Sequence, residues 1–115
     1  MTRPCPPAAG LLVLTLLAGA AGLSPAARAD AVYHISQIGR AFSPDTLEIK
    51  RGETVRIVND DGELIHHAYV KSESFNFDSG EQDPGDHIDI RFTVPGVFVV
   101  RCDIHPKMHL TVTVR

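Results

Sequence analysis

Three residues that bind soft metal ions stand close together near the end of this chain. Cys102, His105 and Met108 follow one another at three-residue intervals. A further imidazole is available upstream, at His66 or His67. Two imidazoles, one thiolate and a weak axial thioether form the ligand set of trigonal copper sites that transfer single electrons. The spacing therefore predicts one copper ion per chain, cycling between Cu(I) and Cu(II).

Strand parity helps to choose between the two upstream histidines, since side chains on a strand alternate between its faces. Cys102 and Met108 both fall on the apolar face of the strand-like runs beside them. His66 alternates in step with small aliphatic residues, whereas His67 shares a face with Tyr69. This favours His66 as the ligand and leaves His67 as the alternative.

Short β-rich runs separated by turn signals follow one another from residue 31 to the end. Such a sequence is typical of an all-β sandwich or barrel. Residues 71–85 are polar and include Gly80, which predicts a loop with a short strand or turn near Phe75 and Phe77. The strand-like runs are 31–38, 47–49, 55–58, 68–70, 88–92, 97–102 and 110–114.

The first 29 residues have the features of a secretory signal peptide. Arg3 precedes an apolar stretch over residues 8–22, and Ala27-Arg28-Ala29 offers a cleavage site. The stretch is shorter than the roughly 20 residues of a spanning helix. We therefore expect residues 1–29 to be removed and residues 30–115 to form one periplasmic domain without stable membrane insertion.

Charge and cysteine content narrow the function classes. Loss of two arginines with the signal peptide changes the formal net charge from −3 to −5. An acidic domain is a poor nucleic-acid binder and suits a partner with a basic docking face. Cys5 would leave with the signal, so Cys102 stays as a lone cysteine: a buried thiol, an intermolecular bridge or a metal ligand. His105 and Met108 at ligand spacing favour the metal.

From Phe42 onward the chain resembles the cupredoxins, in particular the group that contains amicyanin, pseudoazurin and plastocyanin. The short ligand loop, with two residues between successive ligands, is similar to the amicyanin form. The matching segments are Phe42-Ser43-Pro44-Asp45-Thr46-Leu47, Gly52-Glu53-Thr54-Val55, Val58-Asn59-Asp60-Asp61 leading to His66, Phe92-Thr93-Val94-Pro95-Gly96, and Cys102 with His105 and Met108.

The resemblance implies a Greek-key β-sandwich that holds copper at one end through His66, Cys102, His105 and Met108. It also implies a carrier of single electrons between soluble redox proteins. We expect a monomer without enzymatic activity, and a c-type cytochrome or an amine dehydrogenase is a compatible partner. These partners would dock briefly near His105, whose ring is expected to reach the surface. Protonation of His105 in the reduced protein is a further implication of the amicyanin-like loop.

The chain departs from its relatives beside two of the ligands. His67 stands where many of them have Asn, and Asp103 stands where a small polar residue is common. We hypothesise a hydrogen bond between His67 and Asp103 that joins the upstream strand to the ligand loop and lowers the potential.

Two other functions use the same residues. Copper storage or delivery would use similar soft ligands. Such proteins usually have open sites rich in Met and His, and the two methionines of this chain count against that function. Cys102 and His105 could form a nucleophile and base, but no motif supplies the orienting group and oxyanion site. Copper enzymes with such centres need further copper sites and longer chains.

Overall fold

The computed structural model describes residues 2–4 and 31–115. The predicted signal peptide, including Cys5 and the cleavage site before Asp30, lies outside the described residues except for residues 2–4. No helix in the described part of the chain is long and apolar enough to span a membrane.

Nine strands make up the regular structure of residues 31–115. All the strand-like runs identified from the sequence lie in or overlap one of these strands. They are β1 (Val32–Ile38), β2 (Ala41–Ser43), β3 (Thr46–Ile49), β4 (Thr54–Asn59), β5 (His66–Lys71), β6 (Asn76–Gln82), β7 (His87–Arg91), β8 (Gly96–Arg101) and β9 (His109–Val114).

The strands form two sheets of mixed direction. One sheet has the order β2-β1-β4-β7, and the other has the order β3-β9-β8-β5-β6. Strand β1 runs parallel to β4 and β3 runs parallel to β9, while the remaining pairs are antiparallel. Buried side chains alternate with half-buried or exposed ones along β4, β5, β8 and β9, so each sheet turns one face inward. The all-β sandwich predicted from the sequence is confirmed.

Apolar side chains from both sheets fill the space between them. Phe92 is fully buried, and its ring lies 5.2 Å from that of Phe75 and 5.9 Å from that of Phe98. This aromatic group lies near the start of β4, because the Gly52 N–H donates to the Phe92 carbonyl. The buried Cys102 and Met108 belong to the same core.

The prediction of a loop over residues 71–85 with a short strand or turn near Phe75 and Phe77 is right about a strand at Phe77 but wrong about its length, because β6 continues to Gln82. Among the described strands, β6 lies at the edge of its sheet and pairs with β5 alone. An edge strand needs few apolar residues, because one of its faces and its free edge meet solvent. Phe77 is half-buried between the exposed Asn76 and Asp78, and Gly80 has a φ of +67°. The formation of β6 therefore depends more on its backbone hydrogen bonds to β5 than on its amino-acid composition.

The segments that carry the candidate ligands meet at one end of the sandwich. Strands β1 and β4 run in parallel toward this end, and the loop after β4 leads to the start of β5. Tyr69 on β5 pairs with Arg101, the last residue of β8. His66 at the start of β5 and the 102–108 loop after β8 are therefore brought to the same end.

Candidate metal centre

His66, Cys102 and His105 form a compact cluster at this end. Their ligand atoms all lie within 4.8 Å of one another. His66 and Cys102 are buried, whereas His105 is half-buried. The structure thus brings His66, a strand residue, next to two loop residues that follow it in the sequence by 36 and 39 positions.

One nitrogen in this cluster has no hydrogen-bond partner in the part of the chain that the structure describes. The Nδ1 atom of His66 is buried, and it neither donates a hydrogen bond to the described residues nor accepts one from them. Buried polar atoms are nearly always paired, and a bound ion or water is a common partner of one that has no protein partner. The Sγ atom of Cys102 lies 3.8 Å from Nδ1 of His105. Two imidazole nitrogens and a sulfur at one buried point fit a soft transition metal such as copper.

The other ring nitrogen of His66 is held by Asp61. The Nε2–H of His66 donates to the Asp61 carboxylate, which also accepts the backbone N–H of Gly39 at 2.9 Å. Burial by itself would raise the pKa of Asp61, but these hydrogen bonds outweigh burial, so the pKa lies below its usual value. The ionised carboxylate fixes the proton on Nε2 and leaves the Nδ1 lone pair for a metal.

Asp61 is a residue of the candidate site that the sequence analysis missed. It lies in the turn after β4, where Asp and Gly are common for conformational reasons alone. The available signal is an acidic residue five positions before a candidate ligand, which matches no short metal-binding motif.

Asn59 holds the turn that presents Asp61. Its Oδ1 atom accepts the Asp61 N–H at 3.0 Å. Its side-chain amide donates to the carbonyls of Leu64 and Gln82, at 2.8 and 2.9 Å. Asn59 is 1% exposed, so these bonds are shielded from water. The loop between β4 and β5 is therefore fixed from both ends.

The ligand loop begins where β8 ends. Cys102 continues the buried face of β8, as parity predicted, and Met108 leads into the buried face of β9. The Met108 N–H donates to the His105 carbonyl at 2.9 Å and closes the turn between them. Met108 is 1% exposed and packs in the core at this end. Its assignment as the axial ligand stays a prediction.

The ring of His105 lies at the boundary between the cluster and solvent. Its centroid is 5.1 Å from that of His66. Burial, together with the nearby His66 and Arg40, lowers the pKa of His105, although Asp61 acts in the opposite direction. The neutral ring, which is the form that binds metals, is therefore favoured.

The hypothesis of a bond between His67 and Asp103 is wrong. The Nε2 atom of His67 lies 2.5 Å from the carboxylate of Asp78 on β6. His67 follows His66 on the strand and so faces the outer side of the sheet, while Asp103 is exposed in the ligand loop. Hydrogen bonds from the Gly80 N–H and from His67 lower the pKa of Asp78.

Comparison with solved structures gives consistent neighbours. A purple cupredoxin from Nitrosopumilus maritimus is 27% identical, over 72% of this chain and 99% of that one, with a TM-score of 0.63. A reduced amicyanin variant is 20% identical, over 76% of this chain and 85% of that one, with a TM-score of 0.68. The chain has the cupredoxin fold. The resemblance inferred from the sequence is confirmed.

A copper-containing nitrite reductase from Thermus scotoductus SA-01 also contains a segment of this cupredoxin fold. It is 32% identical over 74% of this chain, with a TM-score of 0.67, but the match spans only 22% of the reductase. No protein-family model and no curated protein matches the chain. The cupredoxin neighbours and the His–Cys–His cluster together support a copper protein of the cupredoxin type.

Proposed function

We propose that this protein is a small periplasmic carrier that passes single electrons between redox proteins through one type 1 copper site. The observation that carries the proposal is the unpaired Nδ1 of His66, buried beside the Cys102 sulfur and His105. In the proposal, Met108 is a weak axial ligand and the chain is a monomer without enzymatic activity.

The residues of the site have separate roles in the proposed function. Copper would supply reversible one-electron exchange between Cu(I) and Cu(II). Asp61 holds the ring of His66, and the core holds Cys102 and Met108, so the ligands stay in place when the charge changes. A rigid ligand set keeps the reorganisation that accompanies electron transfer small.

His105 is the proposed point of electron exit and entry. It is half-buried, whereas His66 and Cys102 are buried. A partner that covers the exposed edge of this ring would come nearer to the metal than at any of the buried ligands. Redox proteins commonly associate through small, transient interfaces. A c-type cytochrome or an amine dehydrogenase is the class of partner we propose.

The optical and paramagnetic resonance spectra of the copper-loaded domain test this function. We expect an intense thiolate-to-copper band in the Cu(II) form and one copper per chain by metal analysis. His66→Asn and His67→Asn form a matched pair, because the two residues are neighbours on one strand. The first variant should lose the band, whereas the second should keep it.

Two results would contradict the proposed function, and one would change only the assignment of its ligands. A colourless protein that binds only Cu(I) would indicate copper delivery instead. A variant pair in which His67→Asn loses the band and His66→Asn keeps it would exchange the roles of the histidines. A Cu(II) protein whose Cys102 thiol can still be alkylated would exclude the thiolate ligand.

A further inference from the structure

A shallow groove lies directly beside the half-buried ring of His105. It has a volume of about 300 Å³ and is lined by Arg40, Ile104, His105, Pro106 and Lys107. Ile104 is 42% exposed, and Pro106 is also exposed. His105, the proposed point of electron exit and entry, thus lies at the edge of an apolar groove. Arg40 from the β1–β2 turn and Lys107 from the ligand loop contribute its two cationic side chains.

Other apolar side chains are exposed at the same end of the sandwich. Ile38 is the last residue of β1 and is 51% exposed, and Ile65 immediately precedes His66 and is 40% exposed. Exposed apolar side chains that gather around a functional site indicate a docking surface. Ile38, Ile65, Ile104 and Pro106 are called the apolar patch below.

The charge in the groove is opposite to the charge of the domain. Among the described residues that line it, both ionisable side chains apart from His105 are cations, and the exposed carboxylate of Asp103 stands next to Ile104 in the same loop but outside the lining. Within residues 31–115, neither Arg40 nor Lys107 belongs to an ion pair. An adjoining cavity shares Arg40 and Lys107 and contains one acidic residue, Asp45. The predicted mature domain has a net charge of −5, so this is a local positive region on an acidic protein.

The backbone at Arg40 gives independent support for a role of its side chain. Gly39 and Arg40 form the two-residue turn between Ile38 and Ala41, with φ angles of +61° and +59°. Turns with two left-handed residues favour Gly, Asn or Asp at both positions. An arginine is disfavoured at this backbone conformation. Its presence is explained if the guanidinium is needed where the turn places it, at the groove.

We propose that the copper end docks an acidic redox protein, whose carboxylates bind Arg40 and Lys107 while an apolar surface around its own redox centre covers the apolar patch. This inference rests on the proposed electron-carrier function and specifies the class of partner. It differs from the basic partner expected from net charge alone, because short-range contacts depend on the charges at the docking face. Exposed charges farther than about 10 Å from the contact are largely screened at 0.1 M salt.

A single probe protein with two opposite charge states can test this assignment. A lysine-rich c-type cytochrome is used unmodified and after succinylation, which replaces its lysine charges with carboxylates. The copper-loaded, reduced protein is mixed with either ferric form in a stopped-flow instrument. One electron passes from Cu(I) to the haem iron, so that the copper is oxidised, the haem is reduced and no proton is required. The measured quantity is the ratio of the rate constants for the acidic and the basic cytochrome.

Three variants that each remove one positive charge complete the test. We expect Arg40→Gly and Lys107→Gln each to lower the ratio by about threefold or more at low ionic strength, and the effect to disappear near 1 M salt. Arg51→Gln is the matched control, because Arg51 bonds Arg115 beyond the end of β9 that is far from the ligand loop, and its ratio should not change. Arg40→Gly should also have an equal or higher melting temperature, since glycine favours the left-handed turn.

The outcomes separate this inference from the proposed function. Electron transfer at a ratio that Arg40→Gly and Lys107→Gln leave unchanged would overturn the acidic partner while keeping the carrier. A ratio that falls equally in Arg51→Gln would assign the effect to net charge and would also overturn the proposal of an acidic partner. A blue copper protein that transfers no electron to either cytochrome would overturn the proposed function and this inference together.

Discussion

At the level of single residues, the most consequential contact is the hydrogen bond from His66 to Asp61. A metal-binding imidazole is oriented by the group that holds its second nitrogen. Asp61 is itself held by the Gly39 N–H and, through its own backbone, by Asn59. The position of the His66 ring therefore depends on two loops that supply no ligand.

We predict that Asp61→Asn weakens copper binding about 10- to 100-fold, as loss of such a partner does at other metal sites. The substitution keeps the size of the side chain but removes its charge. Because a nearby negative charge stabilises Cu(II) more than Cu(I), the reduction potential should also rise. Competition with a copper chelator and voltammetry measure the two effects.

Asp60→Asn is the matched control for this prediction. Asp60 is the preceding residue in the same turn, but its carboxylate accepts the hydroxyl of Ser36 instead of the ring of His66. Its copper affinity and potential should match those of the unaltered protein. Equal behaviour of both variants would show that Asp61 has no special role at the site.

At the level of the strands, an ion pair links β4 to β7 on the outer face of their sheet. Arg56 lies opposite Asp89, and its Nε–H and Nη2–H donate to the carboxylate at 2.8 and 3.0 Å. The guanidinium lowers the pKa of Asp89, and burial only partly opposes it. Two parallel hydrogen bonds give this surface pair better geometry than most.

We predict that Asp89→Asn lowers the free energy of unfolding at neutral pH by a small amount that vanishes in acid. A carboxyl whose pKa is lower in the folded state stabilises the protein above its unfolded pKa of about 3.9. This contribution is lost as the pH falls through the lowered, folded-state value. Urea unfolding of the metal-free protein between pH 7 and pH 2 measures the difference.

The salt dependence of the difference in unfolding free energy tests whether Arg56 and Asp89 stabilise the protein through their charges. Arg56 and Asp89 have side chains that are 37% and 43% exposed, so 1 M salt should shrink the difference at pH 7. A difference that is constant from pH 7 to pH 2 would assign the effect to packing or propensity and not to charge.

At the level of the whole molecule, the metal site spans the weakest connection in the five-stranded sheet. Strands β5 and β8 are paired in register at one position, Tyr69 and Arg101, whereas β8 and β9 are paired at six. His66 belongs to β5, and Cys102 and His105 follow β8. A bound metal would therefore cross-link the two parts of this sheet.

We predict that one equivalent of copper raises the melting temperature by more than about 10 °C when the free metal exceeds its dissociation constant a thousandfold. Hydrogen exchange should slow most in His66–Lys71 and in residues 102–108. Cys102→Ser should lose most of the increase. An equal increase in Cys102→Ser, or slower exchange only around Phe92, would place the stabilising metal elsewhere.

Sequence and structure agree best where the information is local. The parity of Cys102, Met108 and His66 along their strands correctly placed all three side chains on buried faces. Alternation is a property of consecutive residues, so it can be read without knowledge of the partner strand. The length of β6 beyond Phe77 was missed because an edge strand is defined by its neighbour, and its polar composition is shared with loops.

By itself, the sequence determined the set of candidate ligands, their spacing in one loop and the faces on which they lie, because these follow from residue chemistry and strand periodicity. Only the tertiary structure decided that Asp61 holds His66, that His67 bonds Asp78 instead of Asp103, and that Arg40 lies beside His105. Each of these contacts joins segments from different strands or loops. Their proximity results from how the two sheets pack and from where each turn ends, which no local pattern of residues records.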